Sequence, residues 1–346
     1  MRSRFLGALA VVAAAVLTLS SCADDSGGGS SPASGAGSGG GGKVKSGLKI
    51  AILPKAVNIP YFDAAFTGAK KACQELGATC DQTGPTEASG SAQVQFINTV
   101  VQQQYDALVI SAADANSIVP ALKQARSAGL TVVTYDADVA DPSARSAMIR
   151  PTTADQIGKS QIKGISDAIG QQGGEIAILS AAATAENQNA WIAVMKQELA
   201  NYPQLKLVDT VYGDDDAAKS AEKASGLLQS HPNLKGIISP TTVGIAAAAQ
   251  YLSGSQYKGK VALTGLGLPS QMKAYVKDGT VKTFGLWDPA MLGYLGVYAA
   301  ANVASKIDIS GGFEAGGKKY SLEDKNQVTV GPPQEFNAQN IDSFNF

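Results

Sequence analysis

The sequence predicts an α/β protein with two doubly wound, parallel-sheet lobes that are joined by a hinge and enclose a cleft. From Leu48 onward, short apolar runs alternate with longer helical patterns. After four strand–helix units, the Asp and Pro residues of "TYDADVADPSARS" indicate a connector, and a second series begins at Ser146. The 346 residues are also enough for two domains of ordinary size.

Each apolar run has the length of a strand, and the segments between the runs have the periodicity of helices. A strand followed by a helix, repeated along the chain, predicts a parallel sheet with helices on both faces. We expect an N-terminal lobe of residues 47–137 plus 288–312 and a C-terminal lobe of residues 138–287 plus 313–346. The strand runs are "LKIAILP", "TCDQTGP", "YDALVIS", "LTVVTYD", "SAMIRP", "GEIAILS", "LKLVDTVYG", "LKGIISP", "KVALTGL" and "TVKTFGLWD".

Residues 1–22 have the features of a lipoprotein signal peptide. Arg2 and Arg4 form a positive start, residues 5–19 are predominantly apolar, and "LSSC" ends at Cys22. This ending resembles a bacterial lipobox, in which the cysteine is lipidated; the alternative is an ordinary signal peptide with an incidental cysteine. Residues 23–46 are rich in Gly and Ser and are expected to form a flexible tether. We therefore expect an extracytoplasmic protein that is anchored to the cell membrane through Cys22.

Charge and cysteine content exclude several classes of partner. The chain has 28 Lys and Arg against 29 Asp and Glu, so it has no basic excess to neutralise the phosphates of a nucleic acid. Cys73 and Cys80 are an even pair that an oxidising compartment would join in a disulfide, the alternative being two buried thiols. The single histidine, His231, lies far from this pair, so neither a metal site nor a cofactor is expected.

The predicted ligand site lies where the strands end, because ligands of open α/β sheets bind outside the carboxyl ends of the strands. Lys55 follows "AILP", Asp136 follows "VVTY", and Asn187 and Gln188 follow "AILSAAATAE". Amide, hydroxyl and carboxylate groups pair with ligand hydroxyls, while aromatic rings cover C–H faces. This set suits a small neutral molecule with many hydroxyl groups. Further residues of the set are Tyr61, Phe62, Trp191, Thr241, Thr242 and Trp287.

Longer stretches carry a more specific signal. They include "ILPKAV", "GPTEAS", "LVISAADANSIVPALK", "ILSAAATAENQNAWI", "GIISPTTVGIAAAAQ", "TGLGLPSQM" and "FGLWDPAMLGY". In this order they resemble the sugar-binding proteins of bacterial ABC importers, ribose-binding-protein class, and most closely the rhamnose-binding members. Autoinducer-2-binding proteins are the sister group. The resemblance spans nearly all of the chain after the tether and implies the periplasmic binding protein type I fold.

The resemblance also implies a set of ligand-binding residues. In the autoinducer-2-binding members these are a Lys in a "PK" turn, an Asp after the fourth strand, the Asp-Gln pair of "DQNQW" and backbone groups of a "PDA" turn. In this chain the matching positions are Lys55, Asp136, the pair Asn187 and Gln188, and Pro240, Thr241 and Thr242. Trp287 completes this primary set. Secondary candidates are Asn58, Tyr61, Phe62, Asp138, Trp191 and Gly267.

Three departures from the related patterns affect the expected ligand. Asn187 stands where the pair has its Asp, and "PTT" replaces "PDA"; both changes resemble the rhamnose type. "GLG" at residues 265–267 replaces the "GFD" turn of ribose-binding proteins, so this turn supplies no carboxylate. The run Asp214 to Asp216 in "YGDDDAAKS" is expected only to favour the start of a helix through the helix dipole.

The resemblance implies a monomeric receptor that closes two lobes over one sugar, most favourably L-rhamnose, and presents the closed form to an ABC permease. An autoinducer-2-binding protein for uptake or sensing is the alternative. An enzyme that acts on sugars is disfavoured, because it would need paired carboxylates or an activated nucleophile in the cleft. The sequence offers one expected cleft Asp and a distant His.

Overall fold

The computed structural model describes residues 42–346, so the expected signal peptide, the lipidation site Cys22 and most of the tether lie outside the described residues. The strands are β1 (Lys49–Leu53), β2 (Thr79–Gln82), β3 (Ala107–Ile110), β4 (Thr131–Tyr135), β5 (Ala147–Arg150), β6 (Gly174–Ser180), β7 (Leu205–Tyr212), β8 (Leu234–Ser239), β9 (Ala262–Gly265), β10 (Thr283–Leu286), β11 (Phe313–Ala315), β12 (Lys318–Tyr320), β13 (Gln327–Thr329) and β14 (Gln334–Asn337). The helices are α1 (Pro60–Leu76), α2 (Gly90–Gln102), α3 (Val119–Ser127), α4 (Ala154–Ile169), α5 (Glu186–Glu198), α6 (Ala217–Ser230), α7 (Thr242–Ser253), α8 (Pro269–Lys277) and α9 (Pro289–Ala304). None of the helices within residues 42–346 has the length and apolar character needed to cross a membrane.

The first sheet has six parallel strands in the order β13-β5-β4-β3-β1-β2. Its central strands are buried at almost every position, as in "ALVI" of β3, because helices cover both faces. Helices α1 and α9 pack together on one face, and α2 and α3 on the other. The α1–α9 contact is close: a Cβ added at Gly68 would lie 1.8 Å from the carbonyl oxygen of Ala290.

The second sheet has four parallel strands in the order β7-β6-β8-β9. Strand β10 lies beside the end of β9 through a bridge between Leu266 and Gly285, and β14 pairs antiparallel with β10. Helix α4 packs on α5, and α6 packs on α7. Two doubly wound lobes are therefore present, as the sequence predicts.

The division of the chain between the sheets differs from the expected boundary at residues 137 and 138. Strand β5, which was expected to open the second lobe, pairs with β4 from Val133↔Ala147 to Tyr135↔Ile149. Strand β13 also joins the first sheet, beside β5, although residues 313–346 were expected in the second lobe. The physical reason is that strand partners are chosen by non-local pairing, which an Asp/Pro connector does not reveal. Within the described residues the chain therefore passes between the sheets three times, after β5, β10 and β13.

A disulfide joins Cys73, near the end of α1, to Cys80 in β2. Gly77, with φ 63°, ends the helix and turns the chain back toward the strand, a left-handed conformation that glycine adopts without steric cost. Of the two alternatives for these cysteines, the structure contains the disulfide.

Candidate functional site

The carboxyl ends of both sheets face a cavity of about 400 Å³, open solvent at its mouth included. It contains all eight residues of the primary set and the three aromatic secondary candidates. Because these residues lie in the loops after β1, β4, β6, β8 and β10 or near the starts of the helices that follow those loops, the strand-end rule accounts for their convergence. The lining residues are Lys55, Ile59, Tyr61, Phe62, Asp136, Asn187, Gln188, Trp191, Asp215, Pro240, Thr241, Thr242, Val243, Leu266, Leu286 and Trp287.

Asp136 is the centre of the polar wall on the first lobe. Its backbone is left-handed, with φ 61°, directly after β4. Its carboxylate accepts hydrogen bonds from the Ser111 hydroxyl at 2.9 Å and the Tyr61 hydroxyl at 2.8 Å. The Lys55 ammonium lies 3.8 Å from its Oδ2. Lys55 and Asp136 are only 4% and 7% exposed, so this ion pair lies in a place with little water.

Asn187 and Gln188 form the polar wall on the second lobe. Gln188 Oε1 accepts hydrogen bonds from the Ser180 hydroxyl at 2.6 Å and the Ala181 amide at 2.9 Å, which ties the start of α5 to the end of β6. Asn187 Oδ1 accepts from the Gln188 amide at 2.9 Å and from Lys55 Nζ at 3.2 Å. Both side-chain oxygens are thus occupied. The two NH₂ groups, which have no acceptor among the described residues, are left as donors for a ligand.

Four aromatic rings form another part of the cavity lining. Trp287, directly after β10, donates from Nε1 to the Tyr61 hydroxyl at 2.8 Å. Trp191 lies edge-on to Trp287 with ring centroids 6.0 Å apart, and Phe62 lies edge-on to Tyr61 at 5.2 Å. Burial, together with the neighbouring Asp136 carboxylate, raises the pKa of Tyr61 well above its ordinary value. Tyr61 therefore stays neutral, accepts from Trp287 and donates to Asp136.

Asp215 lines the cavity although the sequence predicted only a helix-start role for the run of three Asp residues. That role belongs to Asp216, which accepts a hydrogen bond from the Lys219 amide at 2.7 Å. Asp214 and Asp215 have left-handed backbones, with φ 56° and 51°, and the turn directs Asp215 to the Thr241 hydroxyl, which donates to its Oδ1. Burial raises the pKa of the Asp215 carboxyl, and Lys55 opposes this effect. The strand-end rule, applied to β7, would have found this residue.

Three secondary candidates lie elsewhere. Asn58 is exposed and lines a wider groove outside the cavity. Asp138 points away from the cavity, because its carboxylate accepts two hydrogen bonds from Arg145, at 2.7 and 2.6 Å. Gly267 donates its amide to the Gly285 carbonyl at 3.1 Å and packs beside Met272. Leu266 lines the cavity in its place.

The cavity combines hydrogen-bonding groups with apolar surface. Lys55, the amide groups of Asn187 and Gln188, and the carboxylates of Asp136 and Asp215 can each bind a hydroxyl group. Leu266, Leu286 and the two tryptophans offer surface for C–H groups. Within residues 42–346, no group of three or more His, Cys, Asp or Glu side chains is arranged to hold a metal ion.

Comparison with known proteins identifies clear relatives. A profile for the family described as "Periplasmic binding protein domain" matches residues 50–307, about three quarters of the chain. A sugar ABC transporter structure from Actinomyces odontolyticus is 47% identical, covers 86% of this chain and 98% of its own, and has a TM-score of 0.68. A solute-binding protein from Clostridium phytofermentas with bound L-rhamnose is 32% identical, with 86% and 98% coverage and a TM-score of 0.82. LsrB from Clostridium saccharobutylicum in complex with AI-2 is 27% identical, with 86% and 100% coverage and a TM-score of 0.81.

Proposed function

We propose, for a chain that belongs to the periplasmic binding protein family of sugar ABC transporters, that the cavity binds one small neutral sugar and that this sugar is L-rhamnose. Membership of the family makes the chain a sugar-binding transport protein rather than an enzyme. It also implies a place of action outside the cytoplasm and a membrane permease as partner.

The observation that carries the proposal is the combination of hydrogen-bonding groups with an apolar wall in one cavity. The NH₂ groups of Asn187 and Gln188 and the ammonium group of Lys55 are donors; the carboxylates of Asp136 and Asp215 are acceptors. A sugar hydroxyl both donates and accepts, so a ring with several hydroxyls can satisfy both kinds of group at once.

The choice of L-rhamnose rests on the apolar wall and on a relative. Leu266 and Leu286 lie on neighbouring strand ends, since Leu266 is bridged to Gly285. L-Rhamnose is a 6-deoxy sugar, and its methyl group would pack on such a wall, whereas a 6-hydroxyl would be left without a partner. The protein from Clostridium phytofermentas, 32% identical over nearly its whole length, was crystallised with L-rhamnose.

Binding is coupled to closure of the two lobes, because groups of both lobes face the same cavity. Lys55 and Asp136 come from the first lobe, and Asn187 and Gln188 from the second. A ligand that contacts both sets stabilises the closed form, which a permease can distinguish from the open one. Uptake also requires release of the sugar, so we expect a dissociation constant near micromolar. This value corresponds to a binding free energy of about 8 kcal/mol.

Autoinducer-2 is the second candidate ligand. The AI-2-bound LsrB of Clostridium saccharobutylicum has a TM-score of 0.81 to this chain. Lys55 and Asp136 of this chain match the Lys and the Asp of the autoinducer-2 pattern. Asn187 favours the rhamnose alternative, since a neutral amide stands where the autoinducer-2 pattern has a carboxylate.

Isothermal titration of the mature chain with L-rhamnose, L-mannose and autoinducer-2 tests the proposal. L-Mannose differs from L-rhamnose only by the hydroxyl at C6. We expect L-rhamnose to bind near micromolar and L-mannose about tenfold or more weakly. Binding of autoinducer-2 without binding of any sugar would replace the first proposal by the second.

The anchor is a separate part of the proposal. The "LSSC" ending supports lipidation of Cys22, which would hold the sugar receptor near its permease. Detergent phase partitioning of the protein expressed in a bacterium tests this: the native chain should enter the detergent phase, and Cys22→Ser should not. Partitioning of both forms into the aqueous phase would remove the anchor.

A further inference from the structure

Asp215 occupies the boundary between the cavity and the solvent outside it. Beyond the cavity lies the wider groove between the lobes, and Ile59, Asp215 and Val243 line both spaces. The inner space also contains Lys55 and Asp136, whereas the outer groove is lined by exposed residues such as Asn58 and Asp214. A ligand in the cavity therefore has Asp215 at its outward end.

The position of this carboxylate is held by its own lobe. Asp214 donates its backbone amide to the Ala181 carbonyl at 3.0 Å, and Asp216 donates its amide to Gly213 at 2.9 Å. Both bonds stabilise the left-handed turn at Asp214 and Asp215. The Thr241 hydroxyl occupies Oδ1, and no described residue donates to Oδ2. One carboxylate oxygen is consequently fixed and the other is free to accept a hydrogen bond.

The charges around the cavity do not cancel. Lys55 is its one cation among the lining residues, and it lies beside Asp136, which also accepts from Ser111 and Tyr61. Asp215 has no ion-pair partner within 4.0 Å in the described part of the chain. The charged groups that act on it are Lys55, Asp136 and Asp214, and burial raises its pKa. Counted by residue type, the lining contains two Asp side chains and one Lys side chain, a formal charge of −1.

We infer that Asp215 determines specificity in this cavity: its free oxygen accepts a hydrogen bond from a hydroxyl of a neutral sugar, and its uncompensated charge rejects sugar acids. This inference rests on the proposed binding of a neutral sugar and adds the residue that selects it. A hydrogen bond to a carboxylate is about twice as strong as one to a neutral acceptor, so a hydroxyl gains by this contact. A ligand carboxylate would bring a further negative charge into a site of low dielectric constant, where repulsion is strong.

Titrations of the mature full-length chain with three probes test the inference. L-Rhamnose is the neutral sugar, L-rhamnonate is the corresponding acid, and L-rhamnitol is an open-chain neutral control for the shape of the acid. The wild type should bind L-rhamnose at least about a hundredfold more tightly than L-rhamnonate. In Asp215→Asn the affinity for L-rhamnose should fall about tenfold, and the preference for L-rhamnitol over L-rhamnonate should shrink about tenfold.

Asp214→Asn is the matched control, since it makes the same charge change one residue earlier at an exposed position outside the cavity. It should leave all three affinities within about twofold of the wild type. Thr241→Val provides a second variant. It removes the hydroxyl that holds Oδ1 of Asp215 and keeps the Asp215 side chain. It should lower the affinity for L-rhamnose, as Asp215→Asn does. Asp215→Asn behaving like Asp214→Asn would overturn the inference.

The outcomes separate this inference from the proposed sugar. If the wild type binds a different neutral sugar, L-rhamnose is the wrong ligand, and the same comparison with that sugar and its aldonate still tests Asp215. If L-rhamnose binds but the Asp215→Asn variant keeps its affinity and its preference, the sugar stands and the role of Asp215 is wrong.

Discussion

The ammonium group of Lys55 donates a hydrogen bond of 3.2 Å to Oδ1 of Asn187. Lys55 follows a strand of the first sheet, and Asn187 lies in the first turn of a helix of the second lobe. The contact therefore crosses the cleft. It joins two residues that the sequence predicted to bind the ligand. In the proposed function, the same polar groups therefore serve both the closure of the lobes and the binding of the sugar.

Replacing Lys55 by Met should weaken L-rhamnose binding by about tenfold or more, because it removes a charged donor from an enclosed site. Folding should persist, since Asp136 keeps its bonds from Ser111 and Tyr61. Titration calorimetry and thermal unfolding measure the two effects. Lys260→Met, at an exposed lysine away from the cavity, is the control. Equal affinity in both variants would show that the ammonium group does not contact the ligand.

Asn187→Ala removes both the cross-cleft acceptor and a free NH₂ donor. The affinity for L-rhamnose should fall by about tenfold, the effect of one or two hydrogen bonds. Asn189→Ala is a matched control on the same helix, because that amide donates to the Ala183 carbonyl at 2.8 Å and does not line the cavity. If calorimetry gives the two variants the same affinity, Asn187 does not hold the ligand.

Both tryptophans of the chain, Trp191 and Trp287, line the cavity, so ligand binding should change the intrinsic fluorescence. The two should differ in importance. Trp287→Phe deprives Tyr61 of its indole donor and should weaken binding about tenfold, while Trp191→Phe keeps an aromatic ring and should change affinity less than about threefold. Calorimetric titration gives both numbers. The reverse order would place the ligand on Trp191 instead.

Asp215 should lower the stability of the protein at neutral pH. Burial raises its pKa in the folded state above the ordinary value of about 3.9. Between these two values the folded protein binds more protons than the unfolded one, so stability falls as the pH rises through this window. Asp215→Asn should accordingly raise Tm at pH 7, and the gain should disappear as the pH approaches about 4.

Thermal unfolding at several pH values, with Asp214→Asn as the control, checks this prediction. The Asp214→Asn substitution makes the same change of charge at an exposed position, so it measures the general effect of charge on Tm. A gain in Tm that is the same at pH 4 and pH 7, or the same in both variants, would contradict it.

Much of the fold follows from local patterns. The alternation of apolar runs and helical segments predicted parallel strands with helices on both faces, and both sheets have this form. The same patterns misplaced β5 and β13. A short run such as "AMIR" has a composition that fits a strand of either sheet. Which strand it pairs with depends on contacts with residues far away in the chain.

The lining of the candidate site, like the fold, was predicted in part from the sequence. Residues directly after strand ends, such as Lys55, Asp136 and Asn187, do converge on one cavity. Asp138 lies outside this cavity and its carboxylate pairs with Arg145, a partner that the two-residue spacing from Asp136 does not reveal. The sequence predicted a role at the start of a helix for all three adjacent Asp residues. Only Asp216 caps that helix, and Asp215 lines the cavity.

The sequence by itself determined the alternation of strands and helices, the family and the strand-end residues, because each is encoded in a contiguous stretch of chain. Only the tertiary structure decided where the two lobes divide, which carboxylates face the cavity and which groups are already bonded. These features depend on non-local strand pairing and on single backbone conformations. The left-handed turn at Asp214 and Asp215 is such a conformation, and it brings Asp215 to Thr241 at the edge of the cavity.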